Sequence, residues 1–193
     1  MKLPLYLTLL RIVMGPLFLA CYLYPASFGI GLQALPYVLL VILAVCEISD
    51  FFDGFVARKK NIVTDLGKVL DPMADSIFHL SIFFAFTQGV IQLPLFLVLF
   101  LFFREAILST LRTLCALRGT ALAARFSGKL KATLQAAAAF LIVLLLIPYS
   151  QGSLTLQVLQ KISFYAVLTV TIYSWISAIE YIFTSWPCIK RTL

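Results

Sequence analysis

The chain has 193 residues, of which 62% are hydrophobic and only 12% charged, with a formal net charge of +7. That composition excludes an ordinary water-soluble domain, because several apolar runs reach the ~20 residues a helix needs to cross the hydrocarbon slab. It also excludes a nucleic-acid surface, since the basic residues fall between apolar runs, where they set membrane topology and attract anionic ligands.

Backbone groups inside a bilayer must be satisfied within their own segment, so the apolar runs are predicted to be helices. Breaks at polar, Pro and Gly stretches divide the chain into six, near 5–25, 34–58, 67–88, 93–118, 127–148 and 155–184. The first carries Arg11 and lacks a small-residue cleavage pattern, so it is expected to be a retained helix, not a signal peptide. The second ends in ISDFFDGFVARKK, and the third begins with GKVLDPMADS. In the fourth, Arg104 sits ~16 Å along the axis, too deep to face lipid, and is expected to point into the bundle. The fifth opens on SGKLKATLQ. Near the end of the sixth, Trp175, Tyr181, Trp186 and Pro187 are expected to anchor the interface. The predicted fold class is therefore an all-α integral membrane protein of six transmembrane helices, one catalytic domain over 1–193.

Charge orients these spans. With Lys2 on the cytoplasmic side, Arg58, Lys59 and Lys60, then Arg112, Arg118, Arg125, Lys129 and Lys131, then Lys190 and Arg191 share that side. Lys161 is the only basic residue in the opposite loops. The asymmetry follows the positive-inside rule and predicts an even number of spans. A bacterial inner membrane with the active site facing the cytoplasm is the expected location. Cys21, Cys46, Cys115 and Cys188 show no C-x-x-C pairing and are expected to be buried small hydrophobes. With His79 the only histidine, they offer no thiolate–imidazole metal site.

Five of the eight acidic residues lie between Ile48 and Ser76: Asp50, Asp53, Asp65, Asp71 and Asp75. Asp50 and Asp53 are three residues apart on the second helix, while Gly67, Asp71 and Asp75 form a four-residue stripe on the third. Two antiparallel helices joined by a short basic loop bring four carboxylates to one depth. Their mutual repulsion is relieved by a divalent cation, and an oxygen-only donor set selects Mg²⁺ or Mn²⁺. Four carboxylates suffice for two bridged ions. Gly54, Ala57 and Gly67 allow a close approach of a backbone or a flat ligand. Asp65, beside Thr64, is read as a helix cap. His79, one turn beyond Asp75, is read as a satisfied structural residue before a catalytic one.

Asp50-x-x-Asp53-Gly54-x-x-Ala57-Arg58, eight residues, then Gly67-x-x-x-Asp71-x-x-x-Asp75 resembles the signature of the CDP-alcohol phosphotransferases at all eight fixed positions. Within that family the chain is most similar to the phosphatidylglycerophosphate synthases, through LPLYLTLLRI, LDPMAD, FREAILSTLRTLCALRG and SGKLKATLQ. One departure is Ser76, where the resemblance leads one to expect lysine. The resemblance implies a six-helix homodimer with a site open to the bilayer. It also implies Asp50, Asp53, Asp71 and Asp75 as metal ligands, with Asp75 doubling as general base. Gly54, Ala57, Arg58 and Gly67 would line the CDP pocket, with Thr8 and Arg11 at its nucleotide end.

The implied reaction joins CDP-diacylglycerol to glycerol 3-phosphate, a phosphorylated acceptor that calls for cations. Arg104 and Arg112 on the fourth helix and Lys129 and Lys131 at the start of the fifth are the candidates. Glu105 would orient an arginine or bind it structurally. Other acceptors (inositol phosphate, phosphatidylglycerol or serine) and, from another class, a divalent-cation transporter remain open at this point. An intramembrane prenyltransferase has no use for the Asp-Gly-x-x-Ala-Arg element.

Overall fold

The computed structural model describes residues 3–60, 65–117 and 126–190, with side chains for 8–49, 72–115 and 127–184. Six α-helices follow one another: α1 Leu3–Leu23, α2 Leu35–Lys60, α3 Asp65–Phe86, α4 Leu95–Leu117, α5 Phe126–Ser150 and α6 Leu156–Lys190. A 3-10 turn, Pro25–Phe28, follows α1 and ends on Gly29 at φ 67°. Among the described residues there is no strand. All six helices expected from the apolar runs are present, and the ends differ by a few residues. The largest difference is α6, which continues to Lys190, six residues beyond its expected end.

Packing starts from a small residue. A methyl group at Gly15 on α1 would lie 2.9 Å from the Ser81 hydroxyl oxygen and 3.4 Å from the Phe78 backbone, so α1 and α3 touch almost backbone to backbone. Further along the same direction, Phe18 and Tyr22 meet Phe86 edge-on, with ring centroids 5.9 and 5.7 Å apart. The two helices therefore run parallel. The Tyr22 hydroxyl then donates to the Gln88 carbonyl at 3.1 Å, tying the end of α1 to the α3–α4 connection. α1 also packs on α2, while α5 joins α2 to α6, and α4 joins α6 to α3. Leu39, Leu43, Ile82, Phe83, Leu101 and Val143 are among the residues filling the shared core.

The polarity of this bundle is reversed relative to a soluble one. Val41, Val45, Phe96, Phe103, Ile172, Ile176 and Phe183 are exposed, whereas Arg11, His79, Arg104, Glu105 and Lys131 are buried. Contiguous apolar outer faces mark a surface covered by something other than water. Two stretches, Ser127–Ser150 and Leu156–Thr184, are long and apolar enough to cross a membrane. Thr8–Leu23, Leu35–Ser49 and Pro72–Phe86 are shorter apolar stretches among the described residues.

Candidate active site

The α1–α3 register sets the first part of the site. One turn back from the Gly15 contact on both helices, Arg11 comes level with Asp75. Arg11 is buried, with 2% of its surface exposed, and its charge acts on Asp75. Thr8, a turn further back on α1, is equally buried.

Asp75 is held by the lone histidine. His79 Nδ1 lies 3.2 Å from Asp75 Oδ1 and 3.0 Å from the Asp75 carbonyl oxygen. Its other nitrogen, Nε2, lies 3.1 Å from Oε1 of Glu47 on α2. The imidazole is buried and meets Phe78 edge-on, while the Asp75 and Glu47 side chains keep 24% and 29% of their surface exposed. This contact also sets the level of α2 against α3. Toward the α2–α3 connection, Asp50 and Asp53 follow Glu47 by about one and two turns of α2, and Asp75 and Asp71 precede His79 by the same steps on α3.

Glu105 on α4 is a second centre. Its Oε1 accepts from Arg104 Nη1 at 2.8 Å and from Lys131 Nζ on α5 at 2.5 Å, and its Oε2 accepts from the Ser76 hydroxyl at 2.8 Å. Arg104 also donates to the Ser174 carbonyl at 3.2 Å and the Ser177 hydroxyl at 2.9 Å, both on α6. Side chains from α3, α4 and α5 thus converge on one carboxylate, and α6 joins the network through Arg104. Buried charge is tolerated only when paired and hydrogen-bonded, and this network supplies both. Lys131 is close enough to Asp75 for their charges to interact, so the two centres adjoin.

Several expected site residues can be placed directly. Arg104 points into the bundle, where three of its donors are engaged by protein groups. Lys131 is buried and Lys129 exposed, although they are two residues apart. Arg112 lies 5.4 Å above the ring of Tyr181. Tyr181 itself is buried beside Leu108 and Ala178 and is not an interface anchor, because α6 turns that face toward α4. Trp175 packs edge-on against Phe100. Cys21, Cys46 and Cys115 are buried, as expected.

Asp50, Asp53, Gly54, Ala57, Arg58, Gly67 and Asp71 lie on helical backbone, but their side chains fall outside those described, as do those of Asp65, Trp186, Pro187 and Cys188. Among the described residues no three metal-ligating side chains converge on a point; in the Glu47–His79–Asp75 array the ring separates the carboxylates. Glu47 escapes a reading of the aspartate motif because it stands one turn outside it. A carboxylate in the apolar run of α2, in a chain with one histidine, is the signal that points to it.

The family model of the CDP-alcohol phosphatidyltransferases matches residues 1–186. A CDP-diacylglycerol–glycerol-3-phosphate 3-phosphatidyltransferase of Bacillus subtilis is 29% identical over 197 residues, covering 99% of this chain and 98% of that protein. The protein of the same name in Rickettsia typhi is 34% identical over 182 residues, covering 92% and 96%. A CMP-forming cardiolipin synthase of Streptomyces coelicolor is 43% identical over 108 residues, covering 56% and 48%.

Proposed function

The chain belongs to the CDP-alcohol phosphatidyltransferase family, and on that premise we propose that it transfers the phosphatidyl group of CDP-diacylglycerol to the sn-1 hydroxyl of glycerol 3-phosphate, releasing CMP and forming phosphatidylglycerol phosphate. The observation that carries this reading is similarity along nearly the whole chain to relatives of that name, with every position of the aspartate signature in place.

The acceptor hydroxyl gives its proton to Asp75, its oxygen bonds to the β-phosphorus, and the phosphoanhydride bond to CMP breaks. Asp75 suits this role because its carboxylate is partly exposed while one oxygen is held by His79. Asp50, Asp53, Asp71 and Asp75, a hard oxygen donor set, would hold Mg²⁺ or Mn²⁺, which when bound neutralises the pyrophosphate and the leaving group. Gly54, Ala57, Arg58 and Gly67 line the CDP pocket, with Thr8 and Arg11 at its nucleotide end.

The acceptor phosphate is drawn by the cations around Glu105. One carboxylate shared by Arg104 and Lys131 leaves a net positive charge for an anion. Lys131 pairs with the carboxylate that also binds the hydroxyl of Ser76, the residue next to Asp75, and so draws that anion toward the base. Arg112 and Lys129 widen the attraction, and Arg104 acts largely by holding Glu105 in place. A single catalytic domain over 1–193, six membrane crossings, a homodimer, and a site on the cytoplasmic face of a bacterial inner membrane complete the proposal.

Purified protein in mixed micelles should release CMP from CDP-diacylglycerol when glycerol 3-phosphate is added. Turnover with another alcohol and none with glycerol 3-phosphate would overturn the assignment. The similarity to the Streptomyces coelicolor protein supports one alternative acceptor, phosphatidylglycerol, so that lipid belongs in the same assay.

A further inference from the structure

Glu47 and His79 have no part in the reaction just described, yet they are joined to its base. His79 lies one turn deeper on α3 than Asp75, is 2% exposed, and faces a carboxylate oxygen from each of its nitrogens, at 3.1 and 3.2 Å. The Nε2–Glu47 contact is an ion-pair distance without a hydrogen bond, whereas Nδ1 is hydrogen-bonded to the Asp75 carbonyl oxygen. Turning the ring away would break that bond and separate the imidazole from both carboxylates in apolar surroundings, which is costly. The ring is therefore held between two carboxylates. Through Nδ1, which is bonded to the Asp75 carbonyl oxygen, it also stands 3.2 Å from Oδ1 of Asp75, leaving Oδ2 to meet a ligand. The same contact joins two helices that otherwise pack mainly through α1, and those helices carry the four aspartates.

We propose that Glu47 and His79 form a positioning strut for the active site: His79 orients the Asp75 carboxylate, and Glu47 fixes the ring and the level of α2 against α3. Groups that hydrogen-bond a metal ligand or a base typically change affinity or activity about 10- to 100-fold when removed. Neither residue needs to touch substrate for that effect. The catalytic half of this proposal rests on the phosphatidyltransferase reading; the structural half does not.

The imidazole can be dissected chemically, because an asparagine amide nitrogen falls near the position of Nδ1 and a glutamine amide nitrogen near that of Nε2. His79→Asn keeps the Asp75 contact and loses Glu47; His79→Gln keeps Glu47 and loses Asp75. The full chain would be compared in detergent as wild type, H79N, H79Q and E47L, with thermal melting to select folded protein. His79→Gln should lower kcat about 10- to 100-fold with KM for CDP-diacylglycerol little changed, and His79→Asn should fall clearly less. Mn²⁺ affinity, read by electron paramagnetic resonance without substrate, should decline in the order wild type, H79N, H79Q. E47L should resemble H79N. Variants H79N and H79Q within about twofold of each other in kcat or in Mn²⁺ affinity overturn the proposal. Should wild type fail to turn over glycerol 3-phosphate, the Mn²⁺ series still decides on the strut, so the two failures are separable.

Discussion

Gly15 on α1 and Ser81 on α3 stand so close that a methyl group on Gly15 would come within 2.9 Å of the Ser81 hydroxyl oxygen and 3.1 Å of its Cβ. This contact fixes the α1–α3 register and with it the placement of Arg11 beside Asp75. Overpacking such a contact costs about 1–3 kcal/mol. Gly15→Val should lower the melting temperature in detergent and reduce activity more than stability alone explains. Ser81→Ala in the same chain should restore part of both, because it removes the nearest obstructing atom.

Glu105 compensates two buried cations at once. Removing one partner from a buried ion pair costs about 3–5 kcal/mol, since the other charge remains in the interior. Glu105→Gln should therefore destabilise the protein by an amount in that range, seen as a large drop in melting temperature. Adding Lys131→Met should recover stability without recovering turnover. Recovery of both would show that Lys131 has no part in binding the acceptor.

Lys131 and Lys129 are neighbours in sequence and differ sharply in burial. A charge-assisted hydrogen bond contributes about 1.5–3 kcal/mol, so losing the buried cation should cost about tenfold or more. Lys131→Met should raise KM for glycerol 3-phosphate to that extent while KM for CDP-diacylglycerol changes little. Lys129→Met should have a distinctly smaller effect in the same steady-state assay. Equal effects would place the phosphate outside the bundle.

A positioned general base contributes about 10²- to 10⁴-fold, and Asp75 is proposed to serve as metal ligand as well. Asp75→Asn should lower CMP release by at least that range. Chelation with EDTA should abolish wild-type turnover, and added Mg²⁺ or Mn²⁺ should restore it. Full activity after exhaustive chelation would remove the metals from the proposed chemistry.

The six helices, their approximate ends and the aspartate motif were all legible in the sequence, because each is a local property. A run of apolar residues announces a helix in a membrane whatever it packs against. Spacings of three and four place side chains on one helix face without reference to any other. The expectation that Arg104 points inward was also local, since depth along one helix decides it.

Which charge meets which was a different matter. Lys131 could serve a phosphate or the membrane surface until α5 was seen to bring it onto Glu105. Tyr181 passed for an interface anchor until α6 packed it beneath Arg112. His79 and Glu47 lie 32 residues apart, and Arg104 reaches Ser177 across 73. Such pairs depend on the rotation and register of one helix against another, which close contacts such as Gly15 on Ser81 decide. Periodicity along a single helix carries no information about that rotation, so the sequence determined the helices and their motif, and only the tertiary structure decided how the charges pair.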